Sequence, residues 1–337
     1  MTNMNQTKHD IAIRVEEGDA LKYRVDVLAL KYAQDFHGLD RAIARRFAEA
    51  NLDTDPLKPP PGKVALVSSH GHAMASKLLF CGVAPIGDFR YQQIREFSRA
   101  VLHALADTQD VIHLGLTLHG AGYGLDEVEA FEAEIAGLAD AVSEGRVPGS
   151  LEQITIIERN TVRSKRLSET LKELLPHGRI FSDRGYADTH ETELPGARLR
   201  AAGYSSDSKP HVFVAMPFDE SMDDVYHYGI SNAVRAAGFV CERADEKAFT
   251  GEVLAQVKQR IKSSTLVVAD LSTANSNVYL EVGYAWGCDV PTVLVVDDLD
   301  ALEFDVKGQR CLEYKKIQDL ERGLRDELAQ LRESLSI

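Results

Sequence analysis

Two carboxylates, flanked by amides, hydroxyls and aromatic rings, converge in one stretch of this sequence. Val267-Val268-Ala269-Asp270-Leu271-Ser272 is a β-branched run that ends in a carboxylate and a hydroxyl. A polar turn, residues 273–276, separates it from Asn277-Val278-Tyr279-Leu280-Glu281-Val282-Gly283-Tyr284-Ala285. A carboxylate beside an anomeric carbon can act as a nucleophile, or stabilise the oxocarbenium-like transition state of glycosidic cleavage. A second carboxylate or an amide can hold sugar hydroxyls and shift the first group's pKa, and an aromatic ring can stack on a base. Asp270 and Glu281 are the candidate pair, with Asp219, Tyr226, Asn277 and Tyr284 as candidate neighbours. An aspartate that ends a strand also serves as a turn former or helix cap, so Asp270 carries both readings. Glu281 interrupts an apolar helical segment, where a glutamate is rarely buried without a partner or a function.

The elements needed to position these groups can be read from periodicity. The apolar run before Asp270 reads as a buried strand. From Asn277 the helical spacing sets Asn277, Glu281 and Tyr284 on one stripe, and Val278, Val282 and Ala285 on an adjacent, core-facing one. Before this pair, residues 211–216 form a strand ending at Pro217-Phe218-Asp219, where proline forces a turn. A helix over 222–237 is stopped by Gly238. A short strand, 239–242, leads to Arg243 and Asp245, and a helix carrying Val253, Leu254, Val257 and Ile261 follows. A fourth strand, 292–296, and a charged helix over 316–335 complete the half. Strict alternation with short connections predicts a parallel, flavodoxin-like sheet with its ligand at the carboxyl ends of the strands.

The first half also alternates. Strands are expected at 11–15, 25–30, 64–67, 77–83, 111–114 and 154–158, and helices at 39–50, 91–106 and 127–143, which is again an α/β layer structure. Between the strand at 111–114 and the helix at 127 lies Gly120-Ala121-Gly122-Tyr123-Gly124. Glycines between a strand and a helix let backbone N–H groups approach an anion, but the same cluster serves equally as a tight turn under a packed helix. Residues 181–209 are rich in Gly, Ser, Asp and Arg and lack sustained periodicity, so they read as a linker, with room for a short helix around 194–202. The expected domains are therefore 1–180 and 210–337.

The 337 residues suit about two domains, and their net charge of −14 argues against a nucleic-acid footprint. No apolar run reaches membrane-span length, and the first ten residues lack a signal peptide's apolar core, so the expectation is a cytoplasmic protein with no membrane partner. Cys81, Cys241, Cys288 and Cys311 have no metal-like spacing, and no metal is expected. The first three sit in apolar or mixed runs and read as reduced core thiols.

Two resemblances sharpen the reading. Gly18-Asp19 ahead of residues 25–30, and Gly120-Ala121-Gly122-Tyr123-Gly124 followed by Glu127, Glu129, Ala130 and Phe131, make residues 1–180 resemble a divergent macro-like domain. That implies a mixed sheet with flanking helices and an ADP-ribose-type ligand at the loop of Gly120, Gly122, Tyr123 and Gly124. Macrodomains carry an Asn-rich segment after the second strand; this chain has Lys31-Tyr32-Ala33-Gln34-Asp35 there, a departure that argues against de-ADP-ribosylation.

Residues 211–296 resemble the nucleoside 2-deoxyribosyltransferase-like and bacterial TIR-like superfamily of N-glycosidic-bond enzymes. The matching pieces are Ala215-Met216-Pro217-Phe218-Asp219, Asp223-Asp224-Val225-Tyr226, Arg243-Ala244-Asp245, Ala269-Asp270-Leu271-Ser272, and the segment from Asn275 to Ala285. The resemblance implies that Glu281 is catalytic, that Asp270 helps hold the sugar, and that Met216, Pro217 and Phe218 line the pocket with Asp219, Tyr226, Arg243, Asp245, Ser272, Asn277 and Tyr284. It implies cleavage of an N-glycosidic bond in a nucleotide, with NAD⁺ as substrate rather than cofactor, yielding nicotinamide and ADP-ribose or a cyclised product. Arg243, Lys247 and helix-start N–H groups would receive the pyrophosphate. A nucleoside or nucleotide deoxyribosyltransferase or hydrolase, and a non-catalytic nucleotide-binding or assembly module, remain the alternatives. Homo-oligomers are implied, because related sites can be completed by a neighbouring subunit. Chains pairing such modules resemble bacterial anti-phage effectors that act by nucleotide depletion, an inference from architecture alone.

Overall fold

The computed structural model describes residues 10–181, 193–217, 219–243, 251–302, 306 and 308–336. It is an α/β protein whose contacts divide it into two units: Met1–Gly120 with Glu127–Ser206, and Ala121–Asp126 with Asp207–Ile337.

In the first unit, the strands are β1 (Asp10–Glu17), β2 (Val27–Tyr32), β3 (Val64–Ser68), β4 (Lys77–Gly82), β5 (His113–Leu116), β6 (Gln153–Glu158) and β7 (Arg179–Phe181). The helices are α1 (Leu39–Glu49), α2 (Tyr91–Leu105), α3 (Glu127–Ser143), α4 (Thr161–Leu174) and α5 (Glu193–Ala201). The sheet runs β3-β4-β2-β5-β6-β1-β7. Its interior pairs are parallel, and only the edge pairs β3–β4 and β1–β7 are antiparallel. This mixed sheet explains the sequence pattern: β2 is a continuous apolar run because helices cover both faces, whereas edge strand β3 alternates exposed and half-buried residues.

Helices α2 and α3 approach backbone to backbone at Gly137, where a Cβ would lie 2.1 Å from the Arg95 carbonyl oxygen. Arg95 is 3 % exposed, and its guanidinium is held by Asp140 (2.6 and 2.8 Å) and by the carbonyls of Leu199, Arg200 and Ala202. Thus α5, which falls in the segment read as a linker, is fastened to the first unit by this buried cation and by its own Arg198, paired with Glu132 and Glu173. Helix α4 and strand β7 were not expected. The α4 sequence buries only Leu167, Leu171 and Leu174 with Ser164 and Thr170, so its apolar stripe is narrow, and β7 is three residues long.

The second unit contains β8 (His211–Ala215), α6 (Asn232–Ala236), β9 (Val240–Glu242), α7 (Gly251–Ser263), β10 (Leu266–Asp270), α8 (Ser276–Gly287), β11 (Thr292–Val296), β12 (Cys311–Glu313) and α9 (Ile317–Leu335). Its five strands are all parallel, in the order β12-β11-β10-β8-β9. Successive residues of β8 point to opposite cores. Val212 and Val214 meet Ile230, Val234, Leu320 and Leu324, while Phe213 and Ala215 meet Val257, Ile261, Val278 and Val282. The chain leaves β8 toward one edge and later returns to β10 on its other side, so the strand order reverses between these two neighbours. Open α/β sheets bind ligands outside the carboxyl ends of such a pair.

Two details differ from the sequence reading. The expected helix over 222–237 is a 3₁₀ turn (Glu220–Met222), then a π-helical stretch (Val225–Ser231) that runs into the short α6. Here α9 presses in so closely that a Cβ on Gly229 would lie 2.7 Å from Leu320 Cδ2, and the wider turn rephases the buried face. The fifth strand, β12, is three residues long and carried no periodic signal.

Candidate functional site

Asn275 caps α8, its side chain accepting a hydrogen bond from the Asn277 backbone N–H (2.8 Å), and the helix then presents Asn277, Glu281 and Tyr284 along one stripe. This stripe faces α7. Between the two helices lies a cavity of about 570 Å³ that all three residues line. The wall from α7 is apolar, with Leu254, Val257 and Ile261, except for Lys258. The Lys258 ammonium stands 5.6 Å from the centroid of the Tyr284 ring. Among the described residues the cavity thus combines a half-buried carboxylate, an exposed amide, the rings of Tyr279 and Tyr284 and a cation within largely hydrocarbon walls. That composition suits a planar base bonded to a sugar: the rings supply stacking and area, and the few polar groups fix orientation.

The other expected residues form two separate groups. At the carboxyl ends of β8 and β9, the Arg243 guanidinium stacks on the Tyr226 ring (4.3 Å to the centroid), donates to Met216 Sδ (3.7 Å), and stands 3.8 Å from Asp223. The Tyr226 hydroxyl lies 3.9 Å from Cys241 Sγ, and burial pushes the phenol well above its ordinary pKa. Pro217 is buried beyond β8, and Asp219 is exposed and caps the 3₁₀ turn through the Ser221 N–H. Phe218 and Asp245 lie outside the described residues, as does Lys247.

The third group surrounds Asp270, which is 1 % exposed. Its neighbour Ala269 is in register with Ala215, placing Asp270 beside Met216 at the strand-order reversal. Both of its oxygens are engaged: Oδ1 accepts from the Ser272 N–H and Oδ2 from the Tyr314 hydroxyl, each at 2.9 Å. Ser272 Oγ is 3.1 Å from that hydroxyl and also accepts from the Asp297 N–H. Burial raises the Asp270 carboxyl above the usual range, and the hydrogen bonds from Ser272 and Tyr314 offset part of the shift. The geometry makes Asp270 an anchor for the β10–α8 turn, in which Ala274 takes a left-handed φ of 49°. It is not among the cavity-lining residues.

In the glycine cluster, Gly120 and Gly124 have φ of 87° and 92°, a region that favours glycine, while Gly122 lies within a 3₁₀ turn, Ala121–Tyr123. Within the second unit the carbonyls of Tyr123 and Gly124 accept hydrogen bonds from Arg260 (2.8 and 3.1 Å), which is also paired with Glu242. Nearby, Asp126 is fully buried in a bidentate pair with Arg235. At the end of β2, in the departure from the macro-like pattern, Lys31 is buried, and its ammonium is pushed below its ordinary pKa by burial while Asp40 opposes the shift.

Sequence reasoning missed Lys258 and Tyr314. Lys258 could have been found, because it follows Leu254 by four residues and precedes Ile261 by three on the same helical face. Tyr314 follows a strand with no sequence signal. Among the described residues, no group of three or more His, Cys, Asp or Glu is placed to hold a metal ion, and no helix is long and apolar enough to cross a membrane.

No family model matches the sequence, and no curated protein matches it. Among solved structures the chain is similar to an Oceanobacillus iheyensis macrodomain with MES bound, at 16% identity and a TM-score of 0.38, covering 50% of this chain and 98% of that one. A Trypanosoma brucei macrodomain in complex with ADP-ribose is similar at 19% identity and a TM-score of 0.36, covering 47% of this chain and 68% of that one. The macrodomain of ganglioside induced differentiation associated protein 2 is similar at 15% identity and a TM-score of 0.37, covering 50% and 84%.

Proposed function

We propose that the second unit cleaves the N-glycosidic bond of a nucleotide, with NAD⁺ as the leading substrate, and that Glu281 stabilises or traps the ribosyl cation. The observation that carries this reading is the meeting of Asn277, Glu281 and Tyr284 in one cavity between α7 and α8. Its volume, about 570 Å³, lies within the range of small-molecule sites. Apolar walls strengthen the attraction between the Glu281 carboxylate and positive charge developing at the anomeric carbon. Tyr284 offers a face for the base, and Asn277 an amide for sugar hydroxyls. Nicotinamide departs as a neutral base from a cationic pyridinium, so no general acid is needed for that substrate. Asp270, through Ser272 and Tyr314, holds the turn from which α8 starts. Such activity would fit the nucleotide-depleting role that the sequence resemblance implies.

The test is to incubate the full chain and its Glu281→Gln variant with NAD⁺ and with ribo- and deoxynucleosides, following free base by chromatography. Base release by wild type, reduced at least 10²-fold in the variant, supports the reading. Preferential use of 2′-deoxy substrates would move it to the transferase or hydrolase branch, and equal release by both proteins would remove Glu281 from the mechanism.

A second reading, an assembly module, is favoured by the exposure of apolar residues on the cavity rim, with Leu280 at 60 % and Leu254 at 49 %. Sedimentation that shows an oligomer broken by Leu280→Asp, together with no base release, would select it. For the first unit, the macro-like resemblance assigns an ADP-ribose-type ligand near the carboxyl ends of β2 and β5, where Lys31 stands at the end of β2 and Gly120 follows β5. An ADP-ribose titration followed by thermal unfolding tests this.

A further inference from the structure

We infer that Lys258 is the phosphate-recognition residue of the α7–α8 cavity, so that the site takes phosphate-bearing nucleotides in preference to free nucleosides. The inference rests on the placement of the reaction at Glu281 argued above and adds the class of substrate.

Lys258 lines the same cavity as Glu281 and Tyr284. Among the described residues its ammonium has no carboxylate within 4.0 Å; the contact it makes is with the Tyr284 ring face, 5.6 Å away. Among the described residues, the two arginines near the carboxyl ends of β8 and β9 are committed. Arg260 is spread over Glu242 and the carbonyls of Tyr123 and Gly124. Arg243 is engaged with Asp223, Met216 and the Tyr226 ring.

Electrostatics then select the ligand. A phosphate entering a chain of net charge −14, into a cavity that already holds Glu281, meets repulsion unless a cation stands beside it. Lys258 supplies that cation, and its position over Tyr284 keeps the ammonium at the aromatic face against which a base would stack. A free nucleoside gains nothing from Lys258. A nucleotide gains a charge-assisted hydrogen bond to its phosphate. Because Lys258 is exposed, solvent screening keeps the effect modest, on the order of tenfold in affinity, or about 1.4 kcal/mol.

The experiment compares nicotinamide mononucleotide with nicotinamide riboside, which share base and sugar and differ in the phosphate. Equilibrium binding is measured by calorimetry on the full chain carrying Glu281→Gln, with and without Lys258→Met, which keeps the aliphatic stem and removes the charge. The expected result is about tenfold tighter binding of the mononucleotide. This preference, read as the ratio of the two affinities because both compounds carry the same cationic pyridinium, should be abolished by Lys258→Met, retained by Lys258→Arg and weakened by added salt. Equal affinity for the two compounds, an equal loss of both in Lys258→Met, or binding of neither overturns the inference. Base release by the wild type is scored separately, so a glycosidase indifferent to phosphate would leave the Glu281 reading standing while this one fell.

Discussion

Glu134 lies on α3 with no exposed surface, and neither of its carboxylate oxygens has a hydrogen-bonding partner among the described residues. Burial holds its pKa well above the usual carboxylate range, with the His119 backbone opposing the shift, so the fold favours the protonated acid. His119 is buried edge-on against Phe97, 4.5 Å between ring centroids, and burial pushes its pKa well below 6.5. The two groups bias stability in opposite directions. Above about pH 4.5 the unfolded chain loses the Glu134 proton while the fold retains it, so stability falls as pH rises toward the folded pKa. Below about pH 6.5 the unfolded chain protonates His119 while the fold does not, so stability falls as pH drops. Between these values the effects oppose each other. Urea unfolding followed from pH 4.5 upward should therefore show wild type losing stability relative to Glu134→Gln, by at most about 1.4 kcal/mol per pH unit, until the pH reaches the folded pKa. A difference that stays constant with pH would mean that Glu134 is already ionised in the fold. Neither group was singled out from the sequence, because nothing in a helical pattern distinguishes a buried glutamate from one on a solvated face.

At the scale of elements, glycine shows how packing decides what propensity cannot. Gly137 in α3 and Gly323 in α9 both occupy helix interiors, where alanine is intrinsically favoured by about 1 kcal/mol. A Cβ at Gly323 meets nothing within 4 Å, so Gly323→Ala should raise stability by about 0.5–1 kcal/mol. A Cβ at Gly137 would lie 2.1 Å from the Arg95 carbonyl oxygen and 2.9 Å from its carbon, backbone atoms that cannot rotate away. Gly137→Ala should force α2 and α3 apart and lower stability by about 1–3 kcal/mol despite the better propensity. Urea midpoints of the two variants check the opposite signs, and a stabilised Gly137→Ala would refute the close approach. Most of the alternation was legible: α3, α8, β6 and β11 lie where periodicity put them. Elements with a narrow apolar stripe or only three residues, namely α4, β7 and β12, were not, because their signal is shorter than the period that reports it.

Over the whole chain, the four cysteines give a test that spans both units. Cys81 is 3 % exposed and Cys241 fully buried, and burial pushes both thiols up to about 12. Cys288 and Cys311 are half-buried, and Cys311 is pushed up to about 11. At pH 8 a thiol must both reach solvent and ionise to react. A neutral disulfide reagent should leave Cys81 and Cys241 untouched in the native protein and titrate all four thiols in denaturant. All four are free, so the melting temperature should not change with reductant. Fast modification of Cys241 in the native state would contradict the packing of the second unit's core.

The sequence by itself determined the local features: period-2 and period-3.6 apolar patterns, the turn at Pro217, the polar turn at 273–276, and the stripe Asn277–Glu281–Tyr284. These depend on neighbours a few residues apart, whose geometry an isolated strand or helix already sets. Only the tertiary structure decided which candidates share a site. Arg235 meets Asp126 across 109 positions of sequence, and Arg260 meets the Tyr123 carbonyl across 137. Asp270 is taken up by Tyr314, 44 positions on, rather than by Glu281's cavity. Lys258 joins Glu281 because α7 packs beside α8. Such pairings follow from strand order and helix packing, which no local period encodes, and among the described residues they turn a list of plausible side chains into a carboxylate, two rings and a cation around a cavity.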